Sequence, residues 1–169
     1  MSILLITVFY TNNVTNLLKT NIMADTITIG WGKPKIEVKK AGESTWEEFA
    51  TPVEDTTQLE TTQGDKLEAT VEGGENEAVK YKANTYQLTF NVRQAPERTD
   101  PIADVDGVVA DEYAVRVTPE NATAIGITID RAAVNVQTTF SSADGLVKVY
   151  TFDVLKPTTG NQIKLGVIP

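Results

Sequence analysis

The chain has 169 residues, a formal net charge of −8, no Cys and no His. That length suits one domain able to bury roughly two-thirds of its unfolded surface, and a hydrophobic content of 41% excludes wholesale disorder. Without Cys or His there are no disulfides, no thiolate nucleophile or thiolate-bound metal, and neither the commonest general base nor the commonest metal ligand.

The acidic balance repels nucleic acid and anionic membrane alike, so neither is expected as an attractive partner. Carboxylate-only chemistry such as glycoside hydrolysis is compatible with the inventory. Aromatics amount to only 7%, however, which is thin for the aromatic-lined cleft such enzymes use. The expectation is a protein with no catalytic residues, no cofactor and no metal.

In chain order, the first segment is "MSILLITVFY" (1–10). No Lys or Arg precedes its apolar run, and "TNNVTNLLKTNI" (11–22) holds no small-x-small cleavage site, so a secretory signal fits poorly. At about eight residues the run is too short to span a bilayer. "MADTITIGWGKPKIEVKK", from Met23, reads like a natural start with a small residue after Met. Residues 1–22 are therefore expected to come from an upstream start or to form an appendage outside the fold. The alternative is a short strand used in assembly. Residues 23–169 are expected to form a single all-β domain.

From Met23 the apolar period is two. Ile27, Ile29 and Trp31 alternate in "TITIGW", and Ile36 and Val38 alternate with Lys35, Glu37 and Lys39. Leu67, Ala69 and Val71 share one face of "KLEATVE", opposite Lys66, Glu68, Thr70 and Glu72. Further strands are expected around Tyr113, Val115 and Val117, then Ile125, Ile127 and Ile129, then Val134, Val136 and Phe140. "LVKVYTFDV" (146–154) follows, and last come Ile163, Leu165 and Val167. Alternation rich in β-branched and aromatic residues is the half-buried strand pattern. Ala41-Gly42, Gly73-Gly74 and Asp144-Gly145 are turn signals. Spacing of about ten residues predicts an antiparallel β-sandwich or partial barrel with little helix. "TPENATA" (118–124) has the composition of one helical turn, with Thr118 as cap and Pro119 at the first position.

Two irregularities stand out. After Leu67–Val71 and the turn "EGGENE" (72–77), the returning strand keeps Val79, Tyr81 and Ala83 in phase. It then places Tyr86, Leu88, Phe90 and Val92 one residue out of phase, which predicts a bulge or kink near Asn84-Thr85. The first half would lean away from the body as a long protruding two-stranded arm. Such a ribbon is marginal alone in water and offers unpaired edges, so a neighbouring subunit would cover it. The competing reading is an ordinary meander hairpin packed on its own sheet, with solvated Lys and Glu. In the second irregularity, Val147 and Val149 point one way from "LVKVYTFDV" and Tyr150, Phe152 and Val154 the other. That strand is either central to the core or carries an intersubunit surface.

The run "TPVEDTTQLETTQGDKLEATVEGGENEAVKYKANTYQLTFNVR" (51–93), with the Trp46/Phe49 segment before it, resembles phage major tail tube proteins of the type found in phages and prophages of Bacteroidetes-type hosts. The resemblance rests on "TPVED", "TTQGDK", the acidic "EGGE" tip and the return "NTYQLTFNV", and covers mainly residues 24–93. It implies a non-enzymatic virion protein whose β-sandwich forms hexameric rings that stack into a DNA-conducting tube. The long hairpin would reach a neighbouring subunit or the next ring. Candidate interface residues are then Lys66, Glu68, Glu72, Gly73, Gly74, Glu75, Lys80 and Lys82. Partners would be further copies of the chain and other tail proteins, with DNA passing through the lumen without attractive binding and no membrane involved. The place would be the virion tail, assembled in the bacterial host cytoplasm. An acidic wall suits that task, because basic patches would hold the polymer through counterion release. Unlike larger tail tube proteins, the chain shows no appended Ig-like domain and no long helix. A monomeric β-sandwich binding module, for glycans for example, and a capsid decoration or head–tail connector protein are the alternatives.

"DPIADVDGVVADEY" (100–113) looks like a calcium loop. With Gly107 at the loop's invariant glycine, however, Ile102 and Tyr113 occupy ligand positions that need oxygen donors, so the match fails. A looser acidic-loop site is left over. The connection, nearly twenty residues long, is expected to be mobile or to cover a neighbour. The sequons at Asn13 and Asn121 carry no meaning without secretion. Trp31 and Trp46 are expected to plug the core rather than to form a carbohydrate platform.

Overall fold

The computed structural model describes residues 27–169; the segment 1–22 discussed above lies outside them. Ten strands follow in order: β1 (Lys35–Lys40), β2 (Glu47–Glu48), β3 (Gln58–Thr62), β4 (Lys66–Thr70), β5 (Asn76–Tyr81), β6 (Thr85–Arg93), β7 (Tyr113–Thr118), β8 (Gly126–Ser141), β9 (Gly145–Val154) and β10 (Lys164–Gly166). Every pairing is antiparallel, and no helix occurs among the described residues. Eight strands form one sheet in the order β2-β1-β7-β8-β9-β6-β3, with β10 also on β8, while β4 and β5 form a sheet by themselves. The large sheet is not closed, so the fold is the expected sandwich or partial barrel with a projecting hairpin.

The sheet bends at β8. Its first part pairs with β7 through Ala132, and its second part pairs with β9 from Ala132 to Ser141. Between Tyr113↔Ala132 and Val115↔Ile129, β8 carries one residue more than β7. This bulge shifts the side-chain phase by one. Ile129 and the even-numbered Ala132, Val134 and Val136 are therefore all buried. Sequence periodicity suggested two strands here, and the bulge joins them into one bent strand. Arg131, turned outward at the bend, donates to both Glu112 oxygens at 2.8 Å and to the Lys156 carbonyl at 3.0 Å.

β9 lies between β8 and β6, which explains its two apolar faces: it is a central strand. Phe90, Tyr150 and Phe152 are fully buried. Phe90 stacks on Tyr150 at 5.5 Å and on Phe152 at 5.6 Å, and Phe49 meets Phe90 edge-on at 5.0 Å. Ile36, Val38, Val115, Val117 and Ile129 complete the cluster from the β1–β7 side. The Tyr150 hydroxyl is buried without a partner of hydrogen-bonding geometry, and burial pushes its pKa up.

The connection from β6 to β7 is fastened to its own body rather than loose. Ile102 is fully buried in the core, and Lys148 donates to Asp100 at 3.1 Å and to Asp104 at 3.0 Å. Asp104 also accepts from Gly107 N. These contacts occupy two of the loop's carboxylates, and the Lys148 ammonium holds Asp104 below the usual range. Asp106 and Gly107, both at positive φ (51° and 82°), make the tight turn between Val105 and Val108. The Gly107 carbonyl accepts from Val136 N and from the Asn135 side chain, each at 3.0 Å.

Four local expectations are corrected. Ile27–Trp31 forms no strand, and Trp31 is 73% exposed; the extended chain there runs over the Pro119–Ala124 turn, close enough that a Cβ on Gly30 would meet Pro119. Trp46 is only half-buried, with Arg116 at 4.5 Å and Lys39 at 5.0 Å from its ring centroid. β7 runs through Thr118, so "TPENATA" makes no helical turn; Asn121 instead accepts from Thr123 N in a side-chain-closed turn. Glu37 does not face solvent as its alternation predicted. It is 7% exposed, takes two hydrogen bonds from Arg116 at 2.7 and 3.0 Å, and pairs with Lys35 at 2.9 Å.

This last contact sets an acid limit. Arg116 holds the Glu37 carboxyl below its ordinary value of 4.5. A depressed carboxylate pKa stabilises the fold fully above the unfolded value and loses that contribution as pH falls through the folded one. Glu37→Gln, which leaves the Arg116 charge uncompensated, is expected to cost about 3 kcal/mol at pH 7. It should also flatten the fall in thermal midpoint below about pH 4.5. Parallel acid declines in the two proteins would show that other carboxylates control it.

Candidate functional site

The arm begins where β3 ends. The Thr62↔Thr85 pair closes the body's β3–β6 hairpin, and the chain then leaves through a short joint. Gly64 N donates to the Asn84 side chain at 3.1 Å, and Lys82 N donates to the Asp65 carbonyl at 2.9 Å. A Cβ on Gly64 would fall 2.3 Å from the Lys82 carbonyl, so the joint closes only around glycine. The break lies at Asn84, where the phase change predicted it. β4 and β5 are exposed throughout and pair only with each other, which excludes the meander packed on its own sheet.

Register decides what the arm presents. Lys66↔Tyr81, Leu67↔Lys80, Glu68↔Val79 and Ala69↔Ala78 are opposite pairs, and one extra residue, Glu77, bulges before Thr70↔Asn76. Directly opposed residues share a face. One face therefore carries Leu67 and Ala69 beside Ala78 and Lys80, and Val71 continues that row in phase. The other carries Val79 and Tyr81 beside Lys66 and Glu68. Neither face is wholly apolar or wholly charged: Lys80 stands opposite Leu67 on one, and Glu68 and Lys66 stand opposite Val79 and Tyr81 on the other.

The candidate residues then separate. Lys66 and Glu68 form an ion pair, and Asn76 donates to Glu68 at 3.3 Å. Glu72, Gly73, Gly74 and Glu75 build the tip, where Val71 N donates to the Glu75 carbonyl and Gly74 N to the Val71 carbonyl. Gly73 and Gly74, at φ 113° and 85°, supply the left-handed turn. Lys82 stands at the joint, paired with Asp65 at 2.7 Å. Lys80 has no ion pair among the described residues. Leu67 and Val71 on one face of the arm and Val79 and Tyr81 on the other are exposed as well, and a choice of candidates made on charge and turn chemistry passed over them. Their alternation was the available signal, but alternation does not say whether an apolar face is covered.

A cleft of about 650 Å³ opens beside the start of β3. Val53, Leu59, Val117, Ile125 and Ile127 line it, with Lys33, Glu54 and Asp55 among its polar lining. Ile125 is 66% exposed, and Leu165 and Val167 on the neighbouring β10 side are exposed as well. These apolar residues belong to strands or their ends but lie beyond the core. Among the described residues no group of three His, Cys, Asp or Glu side chains could hold a metal ion.

No protein-family model matches the chain, and no curated protein matches it. Among solved structures it is similar to the tube-terminating cap of the anti-feeding prophage. The TM-score is 0.47 at 13% identity, over 88% of this chain and 99% of that one. A likeness at this level assigns no function.

Proposed function

We propose that the chain is a structural subunit of a phage tail tube, without catalysis, assembling into hexameric rings that stack around a DNA-conducting lumen. One observation carries this reading: the β4–β5 arm is a separate ribbon, exposed along its whole length, with apolar side chains on both faces. An isolated two-stranded hairpin is marginal in water, and open edges that invite further strands are made safe when copies pair. Closed rings are the usual outcome of head-to-tail contacts whose rotation closes. The net charge of −8, repeated around a ring, makes a wall that does not hold DNA. Other tail proteins would cap the two ends, and the virion tail, built in the host cytoplasm, would be its place.

Negative-stain electron microscopy of the full chain across a concentration series tests this. Rings about 80–100 Å across with a central hole, a size estimated from six small domains around a channel, or stacked tubes are the expected result. Trimers would point to a decoration protein. Monomers at every concentration would overturn self-assembly and favour a binding module with the cleft as its site.

A further inference from the structure

We infer that the arm of one copy seats in the cleft of another, a contact that rests on the self-assembly proposed above and names its receptor. The arm and the cleft lie at the two ends of one hairpin. Thr57 and Leu59, at the start of β3, wall the cleft, and the chain enters the arm beyond Thr62 at the other end. The arm pairs with no body strand, and no arm residue lines the cleft, so a chain does not fill its own. Two different surfaces at opposite ends make a head-to-tail contact, which propagates from copy to copy.

The chemistry of the two surfaces matches. The Leu67–Ala69–Val71 row meets a lining of Val53, Leu59, Val117, Ile125 and Ile127. Lys80 lies on the same face of the arm, and neither it nor the cleft's Glu54 and Asp55 has an ion pair among the described residues. The acidic tip, Glu72 and Glu75, then extends toward Lys33, whose backbone N–H is held by Glu120 at 3.1 Å and whose ammonium has no ion pair among the described residues. Opposite charges brought together as the apolar row leaves water fix register as well as affinity. The second face of the arm, with Tyr81 and Val79, stays outside the cleft.

Lys80→Glu, Glu54→Lys, the two combined, and Ile125→Glu all alter exposed positions and are expected to fold with unchanged near-UV circular dichroism. Each single variant should raise the protein concentration needed for assembly about tenfold or more, as read by sedimentation velocity. The combined charge exchange should restore assembly to that of the unaltered chain. A chain lacking the arm, mixed with Ile125→Glu, should give only a one-to-one complex. If the unaltered chain assembles and Glu54→Lys and Ile125→Glu assemble equally well, the cleft is not the seat of the arm and belongs to a different occupant, while the tube reading stands. If the unaltered chain does not assemble, that reading falls and this contact falls with it.

Discussion

A chain in which Gly64–Ala83 is replaced by a two-residue Asn-Gly turn is expected to remain a folded monomer and to form neither rings nor tubes. The body supports this surgery. Thr62 and Thr85 are already opposite each other, so a type I′ turn can close the shortened hairpin in register. Nothing in the core depends on the excised residues, since β4 and β5 are exposed throughout and the core cluster draws none of its members from them. The thermal midpoint should therefore stay within about 3 °C of the parent, the scale of roughly 1 kcal/mol for a domain of this size, while assembly is lost. Tubes formed by the shortened chain would remove the arm from the assembly mechanism. A midpoint lowered by 10 °C or more would show that the arm supports the body.

Phe90→Ala should have the opposite profile. Phe90 is fully buried and touches three other aromatic rings, so the substitution removes a ring from the middle of the stack and leaves a cavity. Large-to-small changes of this kind cost about 4 kcal/mol, which for this chain length lowers the thermal midpoint by roughly 10 °C. Chemical denaturation should show the same loss with an unchanged dependence on denaturant. A shift under 2 °C would mean that neighbouring side chains collapse into the space, or that the stack contributes less than its burial indicates.

Much of this architecture was legible in the sequence. Strict alternation marked β1, β4 and β7, the run apolar on both faces marked β9, and the phase change between Ala83 and Tyr86 located the joint of the arm. Other features depended on tertiary partners. Ile27, Ile29 and Trp31 alternate as a strand would, yet no strand pairs with them among the described residues, because periodicity records which side chains share a face and not what lies opposite. Glu37 read as a surface residue because its burial depends on Arg116, far away in sequence. The joining of two apolar runs into β8 depended on a bulge that only pairing with β7 reveals. For the candidate site, charges and glycines marked the arm, while the half-apolar character of each face came from the register between β4 and β5. The cleft is built from separate parts of the chain and left no local trace.

The turn at Asp106-Gly107 has a consequence for the chain before it meets any partner. By taking the Val136 amide on the Gly107 carbonyl, it occupies the outer border of β8 where β7 no longer covers it. A Cβ at residue 107 would stand 2.5 Å from the Val136 carbonyl, so only glycine can sit so tightly against that border. An uncovered strand border is a template for runaway growth. The turn acts as a stopper that shortens the stretch of this border open to another strand.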